Sequence, residues 1–145
     1  NWTPTRRASR DYHFPPALVG ATPFWLAARY REPGIMRLLA RHGADPLFVH
    51  RVDYLPSRSS KRRHEARTAL LAATDVGGGR MARGWVPPAS DDIEARMLAT
   101  VKLALQLGVD AGAADLDGTT ALDAAQSGGF ESVARFLTEH GARNP

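Results

Sequence analysis

The 145-residue chain contains no cysteine. That excludes disulfides, thiol catalysis and cysteine-based zinc sites. No apolar run reaches 18 residues, so no transmembrane helix is expected. No signal peptide is visible, and Asn1 is not an initiator methionine, which leaves a processed or trimmed start open. Lysine is scarce: only Lys61 and Lys102 stand among 19 basic residues, the rest being Arg. Catalytic patterns are also missing. No serine or threonine sits in a Gly-x-Ser-x-Gly elbow. Gly77-Gly78-Gly79-Arg80 lacks the Gly-Lys-Ser/Thr of a phosphate loop and reads as a helix stop with a flexible loop. His13, His50 and His64 have no metal-like spacing. No paired acid and base is evident, so no catalytic, cofactor or metal residue is assigned.

What is present is ordinary for a soluble globular chain: 43% hydrophobic and 23% charged residues, enough for one folded array. The net charge of +4 hides an asymmetry. Residues 1–90 hold 15 Lys/Arg against 6 Asp/Glu, and residues 91–145 hold 4 against 9. Within Arg51–Arg67 the count is 6 against 2. Such a run suggests nucleic acid or an acidic partner. Only Tyr54 is interleaved for base stacking, however, and an Arg-biased composition with a solvated loop is the preferred reading.

Three segments repeat one another. They run from Thr22 to Asp45, from Thr68 to Asp110 and from Thr120 to Arg143. Each opens on Thr, passes through paired small residues (Ala27-Ala28, Ala72-Ala73, Ala124-Ala125), and closes just after Gly43, Gly108 or Gly141. The threonines suit helix N-caps, Pro23 suits the first helical position, and the glycines suit left-handed helix stops. Second helices carry apolar stripes: Ile35, Met36, Leu38 and Leu39 in the first unit, Val133, Phe136 and Leu137 in the third. Leu38 and Leu103 are expected to be buried. The last complete period is 33 residues, the mark of a stacked architecture whose units cannot bury their apolar faces alone.

The chain resembles the ankyrin-repeat family. Thr22-Pro23-Phe24-Trp25-Leu26-Ala27-Ala28 matches the family's opening, and Gly43-Ala44-Asp45, Gly108-Val109-Asp110 and Gly141-Ala142-Arg143 match its close. Asp115-Leu116-Asp117-Gly118-Thr119-Thr120 matches the hairpin lead-in, which explains Asp115-x-Asp117-Gly118 better than a calcium loop does. The family's motif His is replaced by Trp25, Leu71 and Asp123, its Pro by Ala69 and Ala121, and its final Asp by Arg143.

The resemblance implies an all-α solenoid of about three helix-turn-helix repeats with β-hairpin connections and two loop insertions. The expected divisions are an irregular N-terminal segment or preceding hairpin loop at 1–19, repeat one at 20–45 and an extended hairpin insertion at 46–67. Repeat two follows at 68–110, with an insertion at about 78–94, and repeat three at 111–145. The hairpin insertion reads as a mobile finger or one ordered by a partner. Asp91-x-x-Glu94 resembles a capping box opening the long helix of repeat two. The last helix keeps an apolar pattern, which suggests part of a longer array.

The resemblance also implies a monomeric, non-catalytic module for a protein partner, with no membrane role. Its variable contact positions fall on Leu18, Val19, Arg29 and Tyr30 in unit one. They fall on His64, Arg67 and Asp75 in unit two, and on Leu116, Asp117, Thr119 and Ser127 in unit three. Tyr30, Arg29 and Arg67 lead, because Tyr and Arg are favoured at interface centres. Two alternatives stay open: polyanion or nucleic-acid binding through 51–67, and a structural segment of a larger enzyme.

Overall fold

The structure, a computed structural model, describes residues 15–55, 61–75 and 90–142, with side chains from 93 onward in the last stretch. The expectations placed on 1–14, on the hairpin tip at 56–60, on the insertion around Gly77-Gly78-Gly79 and Trp85-Val86-Pro87-Pro88, on the side chain of Asp91 and on Arg143 lie outside what is described. The described chain is rich in helix, with one small sheet. A 3-10 turn at Pro16–Leu18 precedes α1 (Pro23–Arg29) and α2 (Pro33–Arg41). Strands β1 (His50–Tyr54) and β2 (Arg63–Arg67) follow. Then come α3 (Ala69–Thr74), α4 (Ser90–Gln106), α5 (Ala121–Ser127) and α6 (Glu131–Glu139).

The repeated threonines start the short helices as capping chemistry requires. Thr22, Thr68 and Thr120 accept hydrogen bonds from the backbone N–H of Trp25, Leu71 and Asp123. Asp123 completes a capping box, its carboxylate accepting from Thr120 N at 2.8 Å. Here Asp replaces the motif's His and gains a role of its own. Gly43, Gly108 and Gly141 close the second helices at φ between 85° and 91°, where an L side chain is strained. Asp45 and Asp110 then accept from the N–H groups of Leu47 and Gly112, two residues on, and turn the chain out of the helix.

The helices form two rows. α1 packs on α3 and α3 on α5, while α2 packs on α4 and α4 on α6. Between the rows runs one apolar core, from Phe24 and Met36 through Leu70, Met97 and Val101 to Leu122, Val133 and Leu137. Polar groups stitch the pairs at the helix–helix turns. Arg96 donates to Glu32 and to Arg31 O. Glu94 accepts from both N and Oγ of Ser132, at 2.8 and 2.6 Å. Glu94 therefore serves the N-terminus of α6, where backbone donors are unpaired, and not its own helix. The capping-box expectation for Asp91-x-x-Glu94 is corrected accordingly, since α4 already begins at Ser90.

One further expectation is corrected. Leu38 is 55% exposed; the side of α2 that meets the core is Met36, Leu39 and Ala40. Leu103, by contrast, is 6% exposed. The apolar pattern of α6 is spent inward on Val133 and Leu137, and its exposed residues are Glu131, Arg135, Thr138 and Glu139.

Truncating Leu103 to Ala should destabilise the chain by about 2–5 kcal/mol, whereas Leu38→Ala should stay within about 0.5 kcal/mol. Urea denaturation of both variants checks the order. The Ser132 hydrogen bonds hold the Glu94 carboxyl below its ordinary value. A lowered folded value means stability present above the unfolded value and lost as pH falls through the folded one. Glu94→Gln should thus be less stable than the parent at pH 7. The gap should close as pH drops below about 4.5, the ordinary Glu value. Melting curves across that range read it directly.

Candidate functional site

Contact chemistry concentrates where the hairpin ribbon meets the inner helices. β1 and β2 pair antiparallel with His50 opposite Arg67 and Tyr54 opposite Arg63. The ribbon is rooted in the core. His50 is buried, its ring 4.5 Å from that of Trp25 and 6.4 Å from that of Phe48. His50 Nε2 lies 3.0 Å from Ala17 O, which can only accept, so Nε2 carries the proton. Trp25 Nε1 donates to Arg67 O at 2.9 Å and ties α1 to the end of β2. Ala66 is buried as well. The stem of the insertion is therefore an anchored ribbon. The missing signal was spatial: His50 reads as a polar loop residue until Trp25 and Phe48 are placed around it.

At the foot of the ribbon lies an ion cluster. Asp75, just past α3, accepts from Arg29 Nη1 at 3.1 Å and from Arg67 Nη1. Arg67 Nε also faces Glu65 Oε2 at 3.5 Å, as an ion pair without a hydrogen bond. Arg29 lies 5.8 Å over the Trp25 ring. Glu65 accepts a hydrogen bond from Tyr54 Oη at 2.8 Å. Burial, then that hydrogen bond, pushes the Tyr54 phenol above its ordinary value.

Arg31, absent from the candidate residues, completes the cluster. It stands at φ 57°, the position Gly129 occupies at φ 73° between α5 and α6. Its guanidinium donates to Ala73 O and Asp75 O at 3.0 and 3.1 Å. It thereby satisfies carbonyls at the C-terminal end of α3. Burial is the main cause that lowers its pKa, yet guanidinium stays charged at any working pH. In the sequence, an Arg where the repeat permits Gly is the one available hint.

Beyond the cluster, a groove of about 480 Å³ separates β2 from the next turn. Arg62, Arg63, His64, Glu65 and Arg67 form one wall, and Asp115, Leu116 and Asp117 the other. The second wall is rigid because Asp115 Oδ1 accepts from the N–H of both Asp117 and Thr119 at 2.9 Å. Four candidate residues, His64, Arg67, Leu116 and Asp117, thus line one groove. Arg29 and Asp75 join it through Arg67. Val19, Tyr30, Thr119 and Ser127 are exposed but do not line it. Leu18 is corrected: only 6% exposed, it packs with Trp25 and Ala72 in a small second core and presents no contact surface.

Two of the six cations of the basic run are paired with acids within the fold. Arg62 pairs with Asp53 at 2.9 Å, and Arg67 with Asp75 and Glu65. Among the described residues no group of three or more His, Cys, Asp and Glu is arranged to hold a metal ion. None of the described helices is long and apolar enough to cross a membrane.

Asp75→Asn should destabilise by about 1–3 kcal/mol, because it weakens two largely shielded Arg contacts at once. The exposed Arg62–Asp53 pair should contribute about 0–1 kcal/mol. Raising salt should erase the effect of Asp53→Asn but not that of Asp75→Asn in thermal melts.

No curated protein matches the chain. Residues 19–51, from the turn before α1 to the start of β1, match the family model described as Ankyrin repeat. The Thr22 cap, the α1/α2 pair, the left-handed Gly43 and the Asp45 turn fall within that matched segment, which is similar to one ankyrin repeat.

Proposed function

We propose that the chain is a non-catalytic array of three ankyrin-type units, α1/α2, α3/α4 and α5/α6. Its divisions follow the repeats at 20–45, 68–110 and 111–145, with the ribbon inserted at 46–67. It binds a protein partner along the side formed by the ribbon, the inner helices and the Asp115–Thr119 turn. The observation that carries this is the groove, where a mixed-charge strand faces an exposed Leu116 across a preformed gap. The family's units generally mediate protein contacts, and the groove here combines an apolar knob with charges of both signs. Tyr30 and Val19 extend the exposed apolar surface on unit one. Arg29, Arg67 and Asp75 hold one another and act as a rigid floor more than as free contacts.

Polyanion binding ranks below this reading. Asp115, Asp117 and Glu65 face the same groove as the arginines and oppose a phosphate backbone.

Affinity capture with immobilised chain, followed by mass spectrometry, tests the proposal. Proteins retained by the parent should be lost from a Tyr30→Ala/His64→Ala/Leu116→Ala/Asp117→Ala variant whose melting is unchanged. Once a partner is in hand, Tyr30→Ala or Leu116→Ala should each weaken it by about fivefold or more. Tight oligonucleotide binding would overturn the reading if its affinity fell steeply with salt and disappeared in Arg51→Ala/Arg63→Ala.

A further inference from the structure

The ribbon has two long edges, and they differ. The 3-10 turn at Pro16–Leu18 packs against β1, with Ala17 O on the His50 ring. β2 faces the groove instead. Arg63, His64 and Glu65 line that groove in unbroken succession, with Arg62 just before them. Side chains alternate faces along a strand, so consecutive lining residues mean that the gap runs beside the strand and not over one of its faces. In an antiparallel pair, alternate residues turn their N–H and C=O away from the partner strand. Among the described residues, no backbone group of 63–66 hydrogen-bonds beyond the ribbon. The outward half of that backbone opens on the groove and is a template for one more strand.

The far wall is not a second such edge. The N–H groups of Asp115, Asp117, Gly118 and Thr119 are spent within the turn, on Thr119 O and on Asp115. What the turn offers is side chains: the exposed Leu116 and the Asp117 carboxylate. Neither Asp117 nor Arg63 makes an ion pair among the described residues. These two uncommitted charges are opposite in sign and stand on opposite walls. An occupant that answers both carries an acid and a base. A second copy of β2 would instead bring arginines beside arginines, which opposes self-pairing.

We propose that β2 takes an extended segment of the partner protein as a third strand of the ribbon. Its backbone is hydrogen-bonded along 63–66, an acidic residue lies beside Arg63, and an apolar and a basic residue lie against Leu116 and Asp117. This rests on protein binding at the groove and names the form that the partner takes there. Main-chain pairing supplies affinity, and the side chains of the two walls select the sequence.

The test uses the full chain and a fluorescein-labelled peptide, Gly-Glu-Val-Thr-Val-Leu-Lys-Gly. Two analogues carry N-methyl groups on alternate residues, one along each edge of the extended backbone. A strand seated on β2 pairs through one edge only. Fluorescence anisotropy should show saturable binding of the unmodified peptide. One analogue should lose about tenfold or more, and the other about twofold or less. Arg63→Glu and Leu116→Ala should each weaken the unmodified peptide by about fivefold or more. Both side chains are exposed, so melting curves of these variants should overlay the parent's. Amide exchange at alternate positions of β2 should slow on binding, while the amides of α6 keep their rates. Four results overturn the proposal. They are no saturable binding of the unmodified peptide, two analogues that behave alike, β2 amides already fully protected in the free chain, and a dimer of the chain that the peptide dissociates. Failure of the groove itself is distinguishable. In that case the Tyr30→Ala/His64→Ala/Leu116→Ala/Asp117→Ala variant would retain the proteins that the parent captures. If it loses them while the two analogues behave alike, the groove stands and the third strand falls.

Discussion

No helix pair here can close a core by itself, and the rest of the structure answers to that constraint. α1 and α3 are seven and six residues long, and α3 is buried along its whole length. A helix that short is marginal in water on its own. It persists because α1 and α5 cover it on either side and the outer row covers it from behind. The small residues Ala72 and Ala73, with Thr74, let those neighbours approach closely, and Thr74 turns its hydroxyl back onto the carbonyls of Leu70 and Leu71. Stability is then a property of the interfaces between pairs more than of any one pair.

Polar groups fix how those interfaces register. Apolar stacking alone would tolerate sliding, since Ala and Leu surfaces are alike along a row. Arg31 to the end of α3, Arg96 to Glu32, and Glu94 to Ser132 each join one pair to the next at the helix–helix turns. Trp25 to Arg67 O and Arg29 to Asp75 do so at the ribbon edge. Both edges are tied, so the groove between β2 and the Asp115–Thr119 turn inherits a defined width. Arg31 shows the balance involved. A left-handed, non-glycine residue costs about 1–2 kcal/mol, and two charge-assisted hydrogen bonds of about 1.5–3 kcal/mol each offset it.

Legibility in the sequence followed from how local each cause is. The caps of Thr22, Thr68 and Thr120, the glycine stops and the paired alanines act within one turn of helix, and spacing alone reveals them. Contacts across units are invisible to spacing. Glu94 looks like its own helix's cap because the pattern is three residues long; its partner lies 38 residues away. His50 looks like a loop residue because its neighbours, Ala17 and Trp25, are 33 and 25 residues distant. Leu38 looks like core because an apolar stripe shows which residues are apolar, not which of two sides a neighbour covers. Of the candidate contact residues, His64, Arg67, Leu116 and Asp117 converge because β2 and the Asp115–Thr119 turn stand side by side. Leu18 fails because the preceding 3-10 turn swings it under Trp25.

The charge asymmetry of the chain takes on a different meaning in three dimensions. In sequence, an Arg-rich first part and an acidic second part suggest a polyanion site. In the fold, the cations divide by neighbourhood. Arg29, Arg31 and Arg67 are drawn inward to one carboxylate and the end of one helix, and Arg62, just before β2, is held across the ribbon by Asp53 on β1. Other exposed cations among the described residues stand on several elements: Arg37 and Arg41 on α2, Lys61, Arg51 and Arg63 at the ribbon, Lys102 on α4 and Arg135 on α6. Asp53, Glu65 and Asp75 thus take up the charge of Arg62, Arg67 and Arg29 within the fold.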